Sequence, residues 1–464
     1  MVDVKKLPLA LALIALFGVV GWLGLHRLAQ HRLDDAISRF QAALPPGESL
    51  AFTRAQPLLM GRGARLDGVV WHHGPLTLTA GRVTARGLAG IPPGPLRIAL
   101  LTFDDVHVLS PRESASAADA RFAGLTIPAH SAGRFTADDL AAATLDSGTA
   151  RSLSVHDTAL DATLAARLVE ITAYGPDRES ALGTDDLDVR MAGDRPRHAS
   201  LSHGAASHVL LADSIRSITA TGAAASSNHL ALELRGLAVD DSGADARPLV
   251  RLERLHFAAY PAGGDTPRGL DASLHGLSVW PQAPGGASLL TTLGYDHLTQ
   301  DITLHATAED ATDRLHVNTL DIDAPGAAKL SLAGDFDQVA PATPGSLAMA
   351  LSTQPRIVRL AVTYRDLGLV DRALDALARS RGTDRATLLA SLAPTDPANA
   401  PAAGSSPNPF ATLAHFLTNP GDGALYVAVK PQSPVLPALL GLELAMAASP
   451  EVAGALGLTV EQRP

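Results

Sequence analysis

Seventeen histidines and 47 acidic residues are the raw material for metal or acid–base chemistry in this 464-residue chain, so their spacing is the first question. His198, His203 and His208 recur at every fifth residue. Ligands on one strand face need even spacing, and ligands on one helix face need three or four, so these three do not form a joint site. His72 and His73 are adjacent and, on a strand, point to opposite sides. Asp185, Asp186 and Asp188, and the run from Asp240 to Asp245, offer oxygen atoms suited to calcium. The run lacks the EF-hand spacing and its terminal Glu, so these acids read as solvated turn residues. No metal ligand is assigned.

Nucleophiles fare no better. The sequence has no G-x-S-x-G, S-x-x-K, H-E-x-x-H or G-x-x-x-x-G-K-[ST]. Ser278 and Ser288 sit near glycines but at no strand-to-helix elbow, and read as strand or turn serines. Glu233 and Glu253 read as outward strand residues; a glycosidase-type pair forms only in three dimensions, so the sequence does not locate one. Asp371, Arg372, Asp375 and Arg379 stand four apart in pairs and read as a solvated helix face. The chain has no Cys, which removes disulfides, thiolate metal sites and Cys nucleophiles. No catalytic or cofactor-binding residue is assigned, no cofactor is expected, and the expectation is a non-enzyme.

The elements that would position any site begin with an uncharged apolar run, Leu7 to Leu25, behind Lys5 and Lys6. Nineteen residues at the helical rise span about 28 Å, close to a bilayer's hydrocarbon core. Leu7, Leu16, Phe17, Trp22 and Leu25 mark this expected membrane anchor, Trp22 as an interfacial aromatic. A cleaved signal peptide is the competing reading, but no small-x-small site follows. Basic residues flank both ends, so the charge rule does not orient the span; the long chain that follows favours export. Residues 1–26 are read as a cytoplasmic tip and anchor, and 27–46 as a juxtamembrane helix with the stripe Leu33, Ile37, Phe40 and Leu44.

From there to residue 353 the apolar period is two, in short runs of Leu, Val, Ile and Thr broken by Gly, Pro and Asp, the pattern of antiparallel strands. The Ala-rich stretch Ser114 to Leu145 is mixed, with a strand near FAGLTIP and a short helix after Thr136. Leu232 to Val239 and Ala272 to Val279 share a pattern in which a Gly breaks the alternation, as at a bulge. Residues 354–464 alternate strand and helix, an α/β C-terminal part; Asp366 starts a helix and Gly382 ends it. The fold class is mainly β, antiparallel, in elongated or groove-like sheets. Leu230, Leu232 and Leu234 mark a candidate apolar sheet face. The formal charge of −10 and only four lysines exclude a basic stripe, so nucleic acid is not an expected partner.

An anchor, Gly-punctuated Leu-x-Leu strands and no catalytic signature together resemble the AsmA- and TamB-like envelope proteins of Gram-negative bacteria. The C-terminal words Val362 to Arg372 (VTYRDLGLVDR), Phe416 to Gly421 (FLTNPG), Pro431 to Val435 (PQSPV) and Leu456 to Val460 (LGLTV) are similar to uncharacterised periplasmic domains of unknown function. The first resemblance implies an inner-membrane, single-pass protein with its body, 47–353, in the periplasm. Its sheet would bind or guide lipid or another apolar ligand, or assist envelope assembly. The expected partners are the inner membrane and phospholipid or envelope proteins. The alternative is a structural or partner-binding subunit with a closed β-sandwich body.

Overall fold

The computed structural model describes residues 30–35, 37–39, 41–42, 47–58, 63–90, 94–128, 141–193, 196–214, 229–241, 246–260, 268–283, 287–309, 314–337, 355–392, 409–436 and 450–464. The anchor residues Leu7, Leu16, Phe17, Trp22 and Leu25 lie outside these, as do Phe40 and Leu44 of the helical stripe. Among the described residues no helix is long and apolar enough to cross a membrane. The chain divides into two compact units, Met1–Asp194 with Leu210–Ala225, and Arg195–Val209 with Ser226–Pro464.

The first unit is an antiparallel meander. Its strands are β1 (Glu48–Ala51), β2 (Arg54–Leu58), β3 (Gly63–His73), β4 (Leu76–Ala89), β5 (Leu96–Leu109), β6 (Glu113–Ile127), β7 (Leu145–Asp157), β8 (Ala162–Tyr174) and β9 (Ser180–Met191). From β3 onward each pairs with the next, while β1 and β2 share one register along β3 and form the edge. The helical residues 30–35, 37–39 and 41–42 run beside that edge: Gln30 donates to Ala55 O at 3.2 Å and Gln41 to Leu50 O at 2.7 Å. Leu33 and Ile37 are half-buried while Arg32, Asp34 and Arg39 are exposed.

Among the described residues the second unit is a meander of ten strands with helices near its C-terminal end. In order it has β10 (Arg197–Val209), β11 (Leu230–Asp241), β12 (Arg247–Tyr260), β13 (Arg268–Val279), α1 (Ala287–Leu293), β14 (Leu298–Glu309), β15 (Arg314–Ala324), β16 (Ala328–Asp337) and β17 (Arg356–Asp366). Then come α2 (Leu369–Ser380), α3 (Arg385–Leu392), α4 (Pro409–Thr418), β18 (Ala424–Val429), α5 (Pro450–Ala455) and β19 (Thr459–Arg463). β17 pairs with β16, so the strands on either side of residues 338–355 are neighbours in the sheet.

Strict alternation does not describe these strands; alternation with a one-residue slip does. In β11 the apolar positions are Leu232 and Leu234, then Leu237 and Val239, with Arg235 and Gly236 between them. Gly236 has φ 64, in the left-handed region. In the first unit the register places Gly68, Gly81, Asp105, Ala118, Ser152, Arg167 and Asp186 opposite one another in sequence from β3 to β9. Every other member of that line is left-handed: Gly68 (φ 60), Asp105 (φ 52), Ser152 (φ 51) and Asp186 (φ 50). A second line, six residues away along the strands, holds Gly87, Gly124 and Ala173, again on alternate strands and again with φ above 50. The slip keeps one face apolar. Phe122 and Leu125, three residues apart around Gly124, pack in a single cluster with Leu145, Tyr174 and Ala212.

An L-residue held left-handed costs about 1–2 kcal/mol, more than the extra chain entropy of glycine. Ser152→Gly is therefore expected to raise stability by about 0.5–1 kcal/mol, read as a higher urea midpoint at unchanged m-value.

Within the Ala- and Ser-rich stretch, the strand expected near FAGLTIP is longer than expected: it is the 15-residue β6, which begins at Glu113. Its weak intrinsic preference is overridden by pairing on both sides, with β5 and with β7. Ala141 and Ala142 are helical; the rest of the helix expected after Thr136 lies outside the described residues. Ser288, expected on a strand or turn, lies in helix α1.

Candidate functional site

Residues opposite each other on antiparallel neighbours share a face, so the registers read out the faces directly. In the second unit one cross-strand row runs from Ala206 on β10 through Leu232, Phe257, Leu304 and Leu332 to Val460 on β19, with no polar residue among its ten positions. A parallel row two residues away contains Leu234, Leu255, Leu274, Ile302 and Ile322. Leu230 begins a third, with Ala259, Leu270, Ala306 and Val317. The intervening row holds Glu233, His256, Ser273, Thr303, Asp321 and Ser331. The predicted residues Leu230, Leu232 and Leu234 thus lie on one face, each on a different apolar row.

The two ends of that face differ. Near β17–β19 it is covered: α4 seats Phe416, 1% exposed, edge-on to Tyr364 with ring centroids 5.9 Å apart. Ile357, Val429 and Leu456 form a buried cluster with Phe336 and Leu360 beside α5. Across β11–β14 the same rows are only half-buried at Leu230, Leu232, Leu234, Leu255, Phe257 and Leu274. The first unit repeats the pattern, with a row from Leu50 through Trp71, Leu78, Val108, Val155 and Leu164 to Val189.

The opposite face is a lattice of ion pairs. Asp67 sits between Arg65 (2.9 Å) and Arg82 (3.3 Å), and Arg82 reaches on to Asp104 (3.2 Å). The hydrogen bond from Arg65, outweighing partial burial, helped by Arg82, holds the Asp67 carboxyl below the usual range. Glu233, read as a plain strand residue, pairs with Arg235 and is likewise held low by it. Glu253 lies 3.5 Å from His275, which also meets Asp301 at 2.9 Å. Asp335, half-enclosed, accepts from His316 and Arg359; its burial pushes the carboxyl up, and these two partners bring it net below the ordinary value. Such exposed pairs contribute little individually, about 0–1 kcal/mol, but they mark this face as solvated.

The other candidates disperse. His198 lies 3.9 Å from Asp240, and His208 stacks on His229 with centroids 3.6 Å apart. His203 lies opposite Arg235 on the polar side. His72 meets Thr77 and His73 meets Glu48. Asp185 and Asp186 clamp Arg167 at 3.0 and 2.6 Å, and Asp188 takes Arg190 at 2.9 Å. Ser278 is bonded to Thr299 at 2.7 Å. None of these groups converges with a nucleophile and a base.

The charged face of α2 is exposed, as expected, but its guanidinium groups do not pair with Asp371 and Asp375 along the helix. Arg372 donates to Gly294 O at 2.8 Å and lies 4.3 Å over the Tyr295 ring, and Arg379 reaches Thr292 O at 3.4 Å. Two guanidinium groups thereby satisfy the terminal carbonyls of α1, which no sequence spacing announced. Asp371 pairs instead with Arg385 on α3.

Asp366 does start α2, as expected. It accepts from Gly368 N (3.0 Å), Val370 N (2.9 Å) and Tyr364 OH (2.9 Å). Burial first, then the bond to Asp366, push the Tyr364 phenol up. Because the folded value is raised, that contribution to stability is complete below the ordinary tyrosine range and is lost as pH climbs past the raised one. Asp366→Ala removes three acceptor contacts and is expected to cost about 2–3 kcal/mol in chemical denaturation.

The fold and this face define a mainly β, antiparallel protein with few helices among the described residues. Residues 321–463, from late β15 through β19, match a family model described as an uncharacterized protein. No curated protein matches the chain.

Proposed function

We propose that this chain is a membrane-anchored, non-enzymatic protein of the bacterial envelope, with its body in the periplasm, whose apolar sheet face holds the acyl chains of lipid. One observation carries the reading: three apolar rows cross β11–β14, yet the leucines on them are only half-buried. In a closed core such side chains are fully buried, and each one fully covered contributes about 1.5–3 kcal/mol. A face of this kind is stabilised by an apolar occupant. The uncharged run Leu7 to Leu25 and the resemblance to AsmA- and TamB-like proteins support the placement at the inner membrane.

The test is native mass spectrometry with lipid extraction on the full chain purified in mild detergent. Phospholipid is expected to co-purify, and a Leu232→Asp, Leu234→Asp double variant is expected to retain at least fivefold less, since each charge desolvates under a bound chain. The second reading, a scaffold that binds protein partners, draws on α4 and α5, which close the β17–β19 end of the face with the chain's own side chains. A lipid-free, monodisperse protein would favour it.

A further inference from the structure

Near the end of β10 the alternation breaks. Ser207 lies opposite Ala231, so one more extended residue would set His208 opposite Leu230, on the apolar face. His208 instead has φ 62, a left-handed backbone that costs an L-residue about 1–2 kcal/mol. Its ring meets His229, the residue just ahead of β11: the two imidazoles stack with centroids 3.6 Å apart and planes 19° apart. Tyr260 stands beside them, its ring centroid 6.0 Å from that of His229. Both histidines are only half-buried, so neither is sealed from solvent.

We propose that His208 and His229 together hold one divalent transition-metal ion, of the zinc class, through a ring nitrogen from each. Those nitrogens lie within 4.8 Å of one another. Two nitrogens on one zinc, each at about 2.0–2.1 Å in tetrahedral geometry, stand about 3.3 Å apart. Rotation of either ring about its soft χ2 closes that gap and turns the two lone pairs from near-parallel to convergent. Imidazole suits zinc, copper and nickel, whereas calcium and magnesium prefer oxygen. The separation of the two histidines in sequence announces no chelate; the pairing of β10 with β11 creates it. The remaining coordination positions are open to water or to a further ligand.

The experiment takes the full, untagged chain in detergent, stripped of metal by a chelator, and titrates it with Zn(II) by calorimetry and with Cu(II) by electron paramagnetic resonance. The expected result is one zinc site tighter than the background of the other histidines, and a copper spectrum split by two nitrogens. His208→Asn, which keeps a residue tolerant of the left-handed backbone, and His229→Gln are each expected to weaken zinc at least about tenfold and to leave at most one nitrogen on copper. His305→Gln removes an exposed imidazole of the same unit, paired with Asp271, and is expected to change neither reading. An unchanged far-ultraviolet circular dichroism spectrum shows that the variants are folded. A zinc site that survives both single variants overturns the inference. So, in the natural chain alone, does the lack of any zinc site above background, or a copper spectrum with a single nitrogen.

Discussion

Gly236→Val is expected to destabilise the second unit by about 3 kcal/mol or more, the largest effect of any single strand substitution proposed for this protein. Gly236 sits at φ 64, and a Cβ there would lie 2.4 Å from Ser202 Oγ, which is itself bonded to Arg235 O at 2.6 Å. Valine therefore carries three costs: a left-handed β-branched residue, a clash with the opposite strand, and loss of the hydroxyl that satisfies the carbonyl before the slip. Valine is otherwise a favoured strand residue, so a propensity argument predicts the opposite sign. Urea denaturation of Gly236→Val beside Gly236→Ala decides between them. A valine variant as stable as the natural protein would mean that the strand can regularise, and that the left-handed position is not required.

Phe416→Ala is expected to cost about 3–5 kcal/mol. Phe416 is the largest fully buried side chain among the described residues and the contact through which α4 is seated on the sheet, edge-on to Tyr364. Neighbouring bonds from His415 to Gln462 (2.8 Å) and from Gln462 to Asp422 O (3.1 Å) hold α4 and the strands together but are exposed, and do not refill the cavity. The loss should be read by thermal and chemical unfolding, with Phe416→Leu costing markedly less because it leaves a smaller void. Equal losses for both would point to the ring–ring contact in place of volume.

Much of this architecture is written locally. β17, α2, β18 and β19 follow from alternation, from Asp366 at a helix start and from Gly382 at its end, because each signal lies within a few residues of what it specifies. Gly236 and Gly276 stand out in sequence for the same reason, and both are left-handed, at φ 64 and 65. Asp105, Ser152 and Asp186 carry no such mark; their backbone is imposed by the strands on either side, so only register reveals the line to which they belong. The first part of β6, ahead of the strand expected near FAGLTIP, is hidden because Ala and Ser say little until neighbouring strands pair with them. Leu230, Leu232 and Leu234 were legible as a stripe, but the row from Ala206 to Val460 joins residues more than two hundred positions apart and exists only across strands. The clasp of Arg372 and Arg379 on α1 is of the same kind.

The helical residues 30–35, 37–39 and 41–42, with Gln30 and Gln41 bonded to carbonyls of β2 and β1, have a further consequence. A sheet edge with free backbone groups is a template, and identical molecules exposing it can add to one another end to end. By occupying acceptors along β1 and β2, this short helix acts as a chain terminator. A protein cut back to Gly47 has lost that terminator, and its assembly should depend on concentration: soluble when dilute, and elongating into stacked oligomers above a threshold, as in nucleated polymerisation.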